Sequence, residues 1–267
     1  MYLFPISDLH VGINAHCLVS NFISNHFKFL NKYKDIVVCA CGDIGPGLAG
    51  YVFLDKLQKT FPHIKIVYVL GNHEYYGHQI NSIYDECALT NLTGNENIVI
   101  LDGKHANNYV INGINFIGCT LWTDFNKGNA EVMNRSQRVM NDYRCIMQGD
   151  RRITPEYILN THGVQMKGII KELNRETGYK NVVLTHHVPI ESQPFIGGLE
   201  HYAYYSDLWD KIIATENPPV YWFYGHDHKS AYIEKVDGDK KVTFCSNPVG
   251  YYTETTTGYS TKCVLEI

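Results

Sequence analysis

Along this chain, short runs of apolar and β-branched residues end repeatedly in a cluster of Asp, Asn and His. Asp8-Leu9-His10 follows Met1–Ser7, and Gly42-Asp43 follows Asp35–Cys41. Gly71-Asn72-His73-Glu74 follows Ile64–Leu70. Thr185-His186-His187 closes the run from Asn181, and Gly225-His226-Asp227-His228 follows Val220–Tyr224. Runs of that length and composition read as buried strands. A fold that stacks such strands side by side brings their exits together, so the clusters can converge. Hard carboxylate and amide oxygens beside imidazole nitrogens suit divalent ions that share a carboxylate.

Between the strands lie helical patterns at His16–Leu30, Leu48–Thr60, Gln79–Leu89 and Asn129–Met147. Another helix opens with Thr154 as its cap, Pro155 in the first position and Glu156 in the first turn. Its apolar stripe runs Leu159, Met166, Ile169, Ile170, Leu173. Asn97–Ile100, Tyr109–Ile111 and Ile114–Gly118 read as strands, with Asn112-Gly113 a type I′ hairpin turn. The tail from Ala231 to Ile267 reads as strand-rich, with a second hairpin signal at Asp237-Gly238. The order is β-α-β first and antiparallel later. It predicts an α/β protein, a sandwich of two sheets with helices on the outer faces. Residues 1–267 read as one domain without repeat or linker, with 120–176 as an insertion that could cap a substrate.

The composition is that of an ordinary globular chain, and its formal net charge of -4 gives no basic footprint for nucleic acid. No apolar stretch approaches the ~18 residues of a membrane span. Eight scattered Cys without a CxxC pair point to a reducing cytoplasm. Asp8 and His10 follow the first strand so closely that no signal peptide is expected. Cys39 and Cys41 read as small buried residues on a strand, and His162 as a hydrogen-bonded core histidine. Gly45-Pro46-Gly47 lacks a following Lys-Ser/Thr, which excludes a nucleotide P-loop.

The ordered set Asp8-Leu9-His10, Gly42-Asp43, Gly71-Asn72-His73-Glu74, His186 and Gly225-His226-Asp227-His228 resembles the calcineurin-like metallophosphoesterase superfamily over residues 1 to about 250. The resemblance implies a four-layer α/β/β/α sandwich of two mixed sheets. It implies two divalent ions, Mn²⁺ first and Fe or Zn²⁺ as alternatives. One would be held by Asp8, His10, Asp43 and His228, the other by Asp43, Asn72, His186 and His226. It implies hydrolysis of a phosphomonoester or phosphodiester by a metal-bound hydroxide, with His73 beside the leaving group. Asn247-Pro248-Val249-Gly250-Tyr251 is similar to a segment of bacterial members and is expected on the metal side. The Asp and Arg of the protein Ser/Thr phosphatase motif are missing after Gly45, which removes that branch and an obvious carboxylate partner for His73.

Two residues stand as candidate substrate contacts, Arg144 as a phosphate fork and His187 on the exit loop. With Trp122, Tyr143, Arg151 and Arg152 of the insertion, Arg144 suggests a small phosphorylated substrate, a nucleotide among the options. The competing readings are a nuclease, opposed by the acidic charge, and a non-catalytic scaffold, opposed by the complete ligand set.

Overall fold

The computed structural model describes residues 1–14, 21–101, 103–191 and 198–267. Its first sheet contains β1 (Tyr2–Ile6), β2 (Ile36–Cys41), β3 (Lys65–Val69) and β4 (Ile98–Ile100), all parallel. The short β13 (Leu265–Glu266) pairs antiparallel with β1, giving the order β13-β1-β2-β3-β4. The second sheet has the order β11-β12-β10-β9-β6-β5. Here β6 (Ile114–Cys119), β9 (Lys180–Thr185), β10 (Tyr221–Tyr224) and β12 (Lys240–Ser246) are parallel. Its edges β5 (Asn107–Ile111) and β11 (Ala231–Asp237) run antiparallel. A small hairpin joins β7 (Met147–Gln148) and β8 (Arg151–Arg152).

Strand alternation explains the layering, because successive side chains point to opposite faces. On the first sheet Ile36, Val38, Ile66 and Tyr68 face α1 (Phe22–His26), α2 (Ala49–Thr60) and α3 (Ile80–Thr93). Their neighbours Val37, Cys39, Cys41, Val67 and Val69 face the second sheet, where they meet Phe116, Val182, Leu184 and Phe223. On the far side Val183, Trp222 and Phe244 pack with Met166, Ile169, Leu173, Ile212 and Ile213 from the outer helices. The result is the four-layer α/β/β/α sandwich of two mixed sheets expected from the sequence.

Several elements differ from that reading. The later half is not antiparallel throughout: four central strands of the second sheet are parallel, and only its edges are not. The pattern over His16–Leu30 falls partly on residues 15–20, outside the described residues; its remainder forms α1 and a 3₁₀ turn at Lys28–Lys32. The segment Asn129–Met147 divides into α4 (Ala130–Val139) and α5 (Asp142–Cys145). Asn129 caps α4 by accepting the Glu131 and Val132 amides, and the chain turns extended at Met140. That break turns Asp142 inward, so a tertiary demand overrides helix propensity. Beyond β12 the tail is mostly loop rather than strand. There Asn247 bonds Pro5 O, Ser260 O and Ser260 N, replacing a ladder by side-chain bonds.

Two signals behaved as read. Asn112 and Gly113 both have positive φ, as a type I′ turn requires. The helix from Pro155, here α6 (Pro155–Leu173), has the Thr154 hydroxyl accepting the Tyr157 amide. This helix is the crossover between β6 and β9 and supplies the outer layer. Of the segment 120–176, Val139, Met140 and Asn141, all before α6, line the cleft over the strand exits. No helix among the described residues is long and apolar enough to cross a membrane.

Candidate metal centre

All five clusters leave the carboxyl ends of parallel strands: β1, β2 and β3 in one sheet, β9 and β10 in the other. The His186 ring stitches the two sheets, with Nδ1 2.8 Å from the Cys41 carbonyl. A carbonyl can only accept, so Nδ1 carries the proton and Nε2 turns toward Asp43 Oδ1 at 3.4 Å and Asn72 Oδ1 at 3.1 Å. Glycine makes this approach possible. Gly42 has φ +84°, and a Cβ there would overlap the His186 ring, while one on Gly71 would overlap the Asp43 carboxylate.

Glu74 fixes the Asp43 loop from beneath. Its buried carboxylate accepts the amides of Asp43, Ile44, Gly45 and Gly71 at 3.0, 2.7, 3.1 and 2.7 Å, and the Tyr68 hydroxyl at 2.7 Å. Burial and the nearby Asp43 charge still push Glu74 up to about 7. Backbone geometry is strained in the same region. Asp8, His10, Asp43, His226 and His228 all have φ between 46° and 76°. Non-glycine residues enter that region at about 1–2 kcal/mol each, and such strain clusters at functional sites.

Three groups of potential ligand atoms lie within 4.8 Å of one another: Asp8, His10 and His228; His10, Asp43 and His73; and Asp43, His186 and His226. His228 Nε2 lies 3.3 Å from Asp8 Oδ1 and 3.1 Å from His10 Nε2. Its Nδ1 lies 2.6 Å from Glu254 Oε2, which aims the ring as an outer acceptor does in metal sites. Asp43 belongs to both sides, with Oδ2 3.9 Å from His10 Nε2 and Oδ1 3.4 Å from His186 Nε2. The donor set fits divalent cations: carboxylate, amide and imidazole converge, and His226 Nε2 is buried without a hydrogen-bond partner.

The charges are strongly coupled. Burial alone would raise the Asp43 carboxyl, but His186 and His73 outweigh it and hold the group well below the usual range. Asp8 is likewise raised by burial but lowered overall by its His228 bond and charge. Burial opposes the charged form of His186, yet Asp43 lifts it to about 10. His228 is similarly lifted to about 9 by Asp8 and Glu254. Burial depresses His10 to about 4 and, with neighbouring imidazoles, keeps His226 and His187 well below their ordinary value.

A cleft of about 550 Å³ opens over the group. Asp43, Asn72, His73, His226 and His228 line it, together with Tyr76, Tyr204 and Tyr251. Val139, Met140 and Asn141 reach it from the insertion, and Glu200, Asp227, Lys229 and Glu254 supply its charged border. His73 is anchored by its amide to Asp43 Oδ1 at 2.9 Å, and its ring stacks on Tyr76 at 4.3 Å. Its Nε2 lies 3.3 Å from the Tyr251 hydroxyl and 3.7 Å from Asp43 Oδ2. Tyr251 stacks on His10 at 4.4 Å, so the Asn247–Tyr251 segment does line this side.

The structure brings together all seven candidate ligands and His73. It does not bring in the two candidate substrate contacts. His187 is buried behind the site, its ring 4.1 Å from His226 and 5.2 Å from Trp122. Arg144 turns its guanidinium to Arg138 O at 2.5 Å and lies outside the cleft lining. Trp122 and Tyr143 are buried in the core, so they form no platform for a planar ligand, and Arg151 and Arg152 are exposed on β8. His162 is the core histidine expected, with Nδ1 3.0 Å from Leu121 O. Sequence reasoning missed Glu254, Tyr76 and Asp142. Nothing local in the sequence marks Asp142, which accepts the Asn72 NH₂ from 70 residues along the chain.

Comparison with known proteins agrees with this arrangement. The chain is 29% identical over 255 residues to "Uncharacterized protein L509" of Acanthamoeba polyphaga mimivirus, covering 84% of this chain and 83% of that one. The crystal structure of phosphopantetheinyl hydrolase from Mycobacterium tuberculosis shares the fold, with TM-score 0.69 and 18% identity over 99% of this chain and 95% of that one. The family model for calcineurin-like phosphoesterases matches residues 5–230, a stretch that takes in every candidate ligand from Asp8 to His228. On that match, the chain belongs to the calcineurin-like phosphoesterase family.

Proposed function

We propose that the protein hydrolyses a phosphate ester of a small molecule at a centre of two divalent cations. The observation that carries this reading is the placement of Asp43 between two histidine-carboxylate groups on the edge of a cleft. Asp8, His10, Asp43 and His228 would hold one ion; Asp43, Asn72, His186 and His226 would hold the other. Mixed oxygen and nitrogen ligands without thiolate favour Mn²⁺, with Fe or Zn²⁺ acceptable. When bound, such ions polarise phosphoryl oxygens and acidify water to a pKa near ~7.

The remaining roles belong to the chain itself. Asp43 directs one oxygen to each group and pins the His73 amide. His73 presents Nε2 to the cleft, where it can give a proton to the leaving oxygen or stabilise charge on the transferring group. Tyr76 beneath its ring and the Tyr251 hydroxyl beside Nε2 restrict its motion. With Asp43 Oδ2 3.7 Å from Nε2, they hold the ring without the carboxylate of the protein phosphatase motif. Residues 120–153 of the proposed 120–176 cap supply one border of the cleft through Val139, Met140 and Asn141.

A cleft of this size suits a drug-sized molecule rather than a polymer. Acidic groups at its border, Glu200, Asp227 and Glu254, oppose a polyanionic nucleic acid. Convergence of the candidate ligands supports the enzyme reading over the scaffold. The free cysteines among the described residues fit a reducing compartment such as the cytoplasm.

The test is a panel of phosphomonoesters, phosphodiesters, nucleotides and phosphopantetheinyl compounds, assayed on chelated protein with Mn²⁺ restored. Metal analysis should find about two ions per chain. Asp43→Asn should weaken both sites at once; two ions at undiminished occupancy in that variant would remove the bridging role.

A further inference from the structure

Asn72 can present its amide oxygen to the site only if its NH₂ group is held the other way. Asp142 does the holding, from α5 in the insertion, 70 residues along the chain. Its side chain is 4% exposed. Asp142 Oδ1 accepts Asn72 Nδ2–H at 2.9 Å and the Tyr76 hydroxyl at 2.6 Å. Asn72 Nδ2 also donates to the Tyr76 hydroxyl oxygen at 3.1 Å, which closes a triangle of three side chains.

A primary amide is nearly symmetric in shape, so exchanging its oxygen and nitrogen costs little in packing. An ionised carboxylate has no such ambiguity, because it only accepts. Facing Asp142, the Asn72 amide has one satisfied orientation: NH₂ toward Asp142, oxygen toward His186 Nε2 at 3.1 Å. The flipped amide would set two oxygens against each other in a buried place and aim N–H donors at the cations. The break of α4 at Met140 is what places Asp142 there. Tyr76 extends the effect, since the ring whose hydroxyl bonds Asp142 also stacks on His73.

We propose that Asp142, assisted by Tyr76, is a positioning residue that sets the orientation of the Asn72 amide, so that the insertion completes the metal centre. The proposal rests on the reading of Asn72 as a ligand. It makes the region before α6 part of the binding machinery rather than only a substrate cover.

Calorimetric titration of Mn²⁺ into chelated protein tests it. Asp142→Leu keeps the branched shape at Cγ, though with more bulk, and removes the acceptor; it should lose ~10–100-fold in affinity at one of two sites, the span for outer-shell partners of metal ligands. The other site should keep its affinity. Asp142→Asn retains an oxygen that can accept, so it should recover part of the loss, which a purely packing role would not require. The double variant Asn72→Ala with Asp142→Leu should bind no more weakly than Asn72→Ala alone. Wild-type affinity at both sites in Asp142→Leu, or additive losses in the double variant, would overturn the assignment. Should Asp142→Leu fail to fold, Tyr76→Phe and Asp142→Asn decide: both unchanged in Mn²⁺ affinity would sink it, and losses confined to one site would sustain it. An Asn72→Ala protein with both affinities intact would instead remove Asn72 as a ligand, and the positioning role with it.

Discussion

At the scale of single residues, His73 is the group whose role separates most cleanly from metal binding. Its ring is held by Tyr76 and Tyr251 and its amide by Asp43, while its Nε2 faces the cleft. His73→Ala should keep both ions and lower kcat by ~10²–10⁴-fold, the usual span for acid–base groups. The loss should shrink on a p-nitrophenyl ester, whose leaving group needs little protonation. Equal losses on good and poor leaving groups would assign His73 to positioning or charge stabilisation instead. The candidate ligands themselves were legible in the sequence because each sits one to four residues past a strand, where a motif survives as a contiguous string. Their partners were not. Asp142, Glu254 and Tyr76 act through pairings across the fold, and no spacing in the sequence marks an acceptor that lies 70 residues from its donor. Arg144 and His187 lie outside the cleft lining for the complementary reason: residue type suggested chemistry, but α5 turns the guanidinium to Arg138 O and the β9 exit buries the imidazole.

At the scale of elements, local signals held wherever they were self-contained. Thr154 and Pro155 start α6 because cap and first-turn chemistry involve only neighbours. Thr154→Ala should therefore reduce unfolding free energy by about 1 kcal/mol, read from urea denaturation, with kcat unchanged because α6 packs on the outer face of the second sheet. A change in kcat without a change in stability would show that α6 is coupled to the cleft. Elements shaped by distant contacts were misread. The helical composition of Asn129–Met147 gives no warning that the chain must break to bury Asp142. The tail reads as strands because its residues favour them, yet Asn247 satisfies backbone groups that a ladder would otherwise take. Sheet direction in the second half was lost for a similar reason, since α6 as a crossover makes β6 and β9 parallel whatever their composition.

At the scale of the whole molecule, the sandwich brings five strand exits to one edge, and with them a crowd of ionisable groups. Their effect on the metal-free protein can be signed. His186 and His228 have folded values of about 10 and about 9, above the ordinary 6.5. Their pairing with Asp43 and Asp8 stabilises fully below pH 6.5 and is lost as pH rises through 9 to 10. His10, depressed to about 4, works oppositely: the unfolded chain takes up its proton first, so stability falls as pH drops from 6.5 toward 4. His226 and His187 add to that acid-side loss. Chelated protein should thus melt highest near neutrality and lower on both sides in calorimetric scans. Added Mn²⁺ should raise the melting point most on the alkaline side, where it no longer competes with protons for His186 and His228. A melting point that climbs steadily from pH 6.5 to 10 without metal would contradict these pairings.

The left-handed backbone at Asp8, His10, Asp43, His226 and His228 has one more implication, a trade-off between activity and robustness. A protein free of any duty to bind ions would place glycine, or another chain path, at such positions. His226→Gly, which also deletes a buried nitrogen with no partner, should make the chelated protein more heat-resistant than its parent while it holds one ion fewer. A scan showing the variant melting lower would mean that the imidazole packing of His226 against His187 and Tyr204 outweighs the strain. On this view the centre is a standing tension that the rest of the sandwich sustains, and mutations that disarm it are the ones under which the scaffold relaxes.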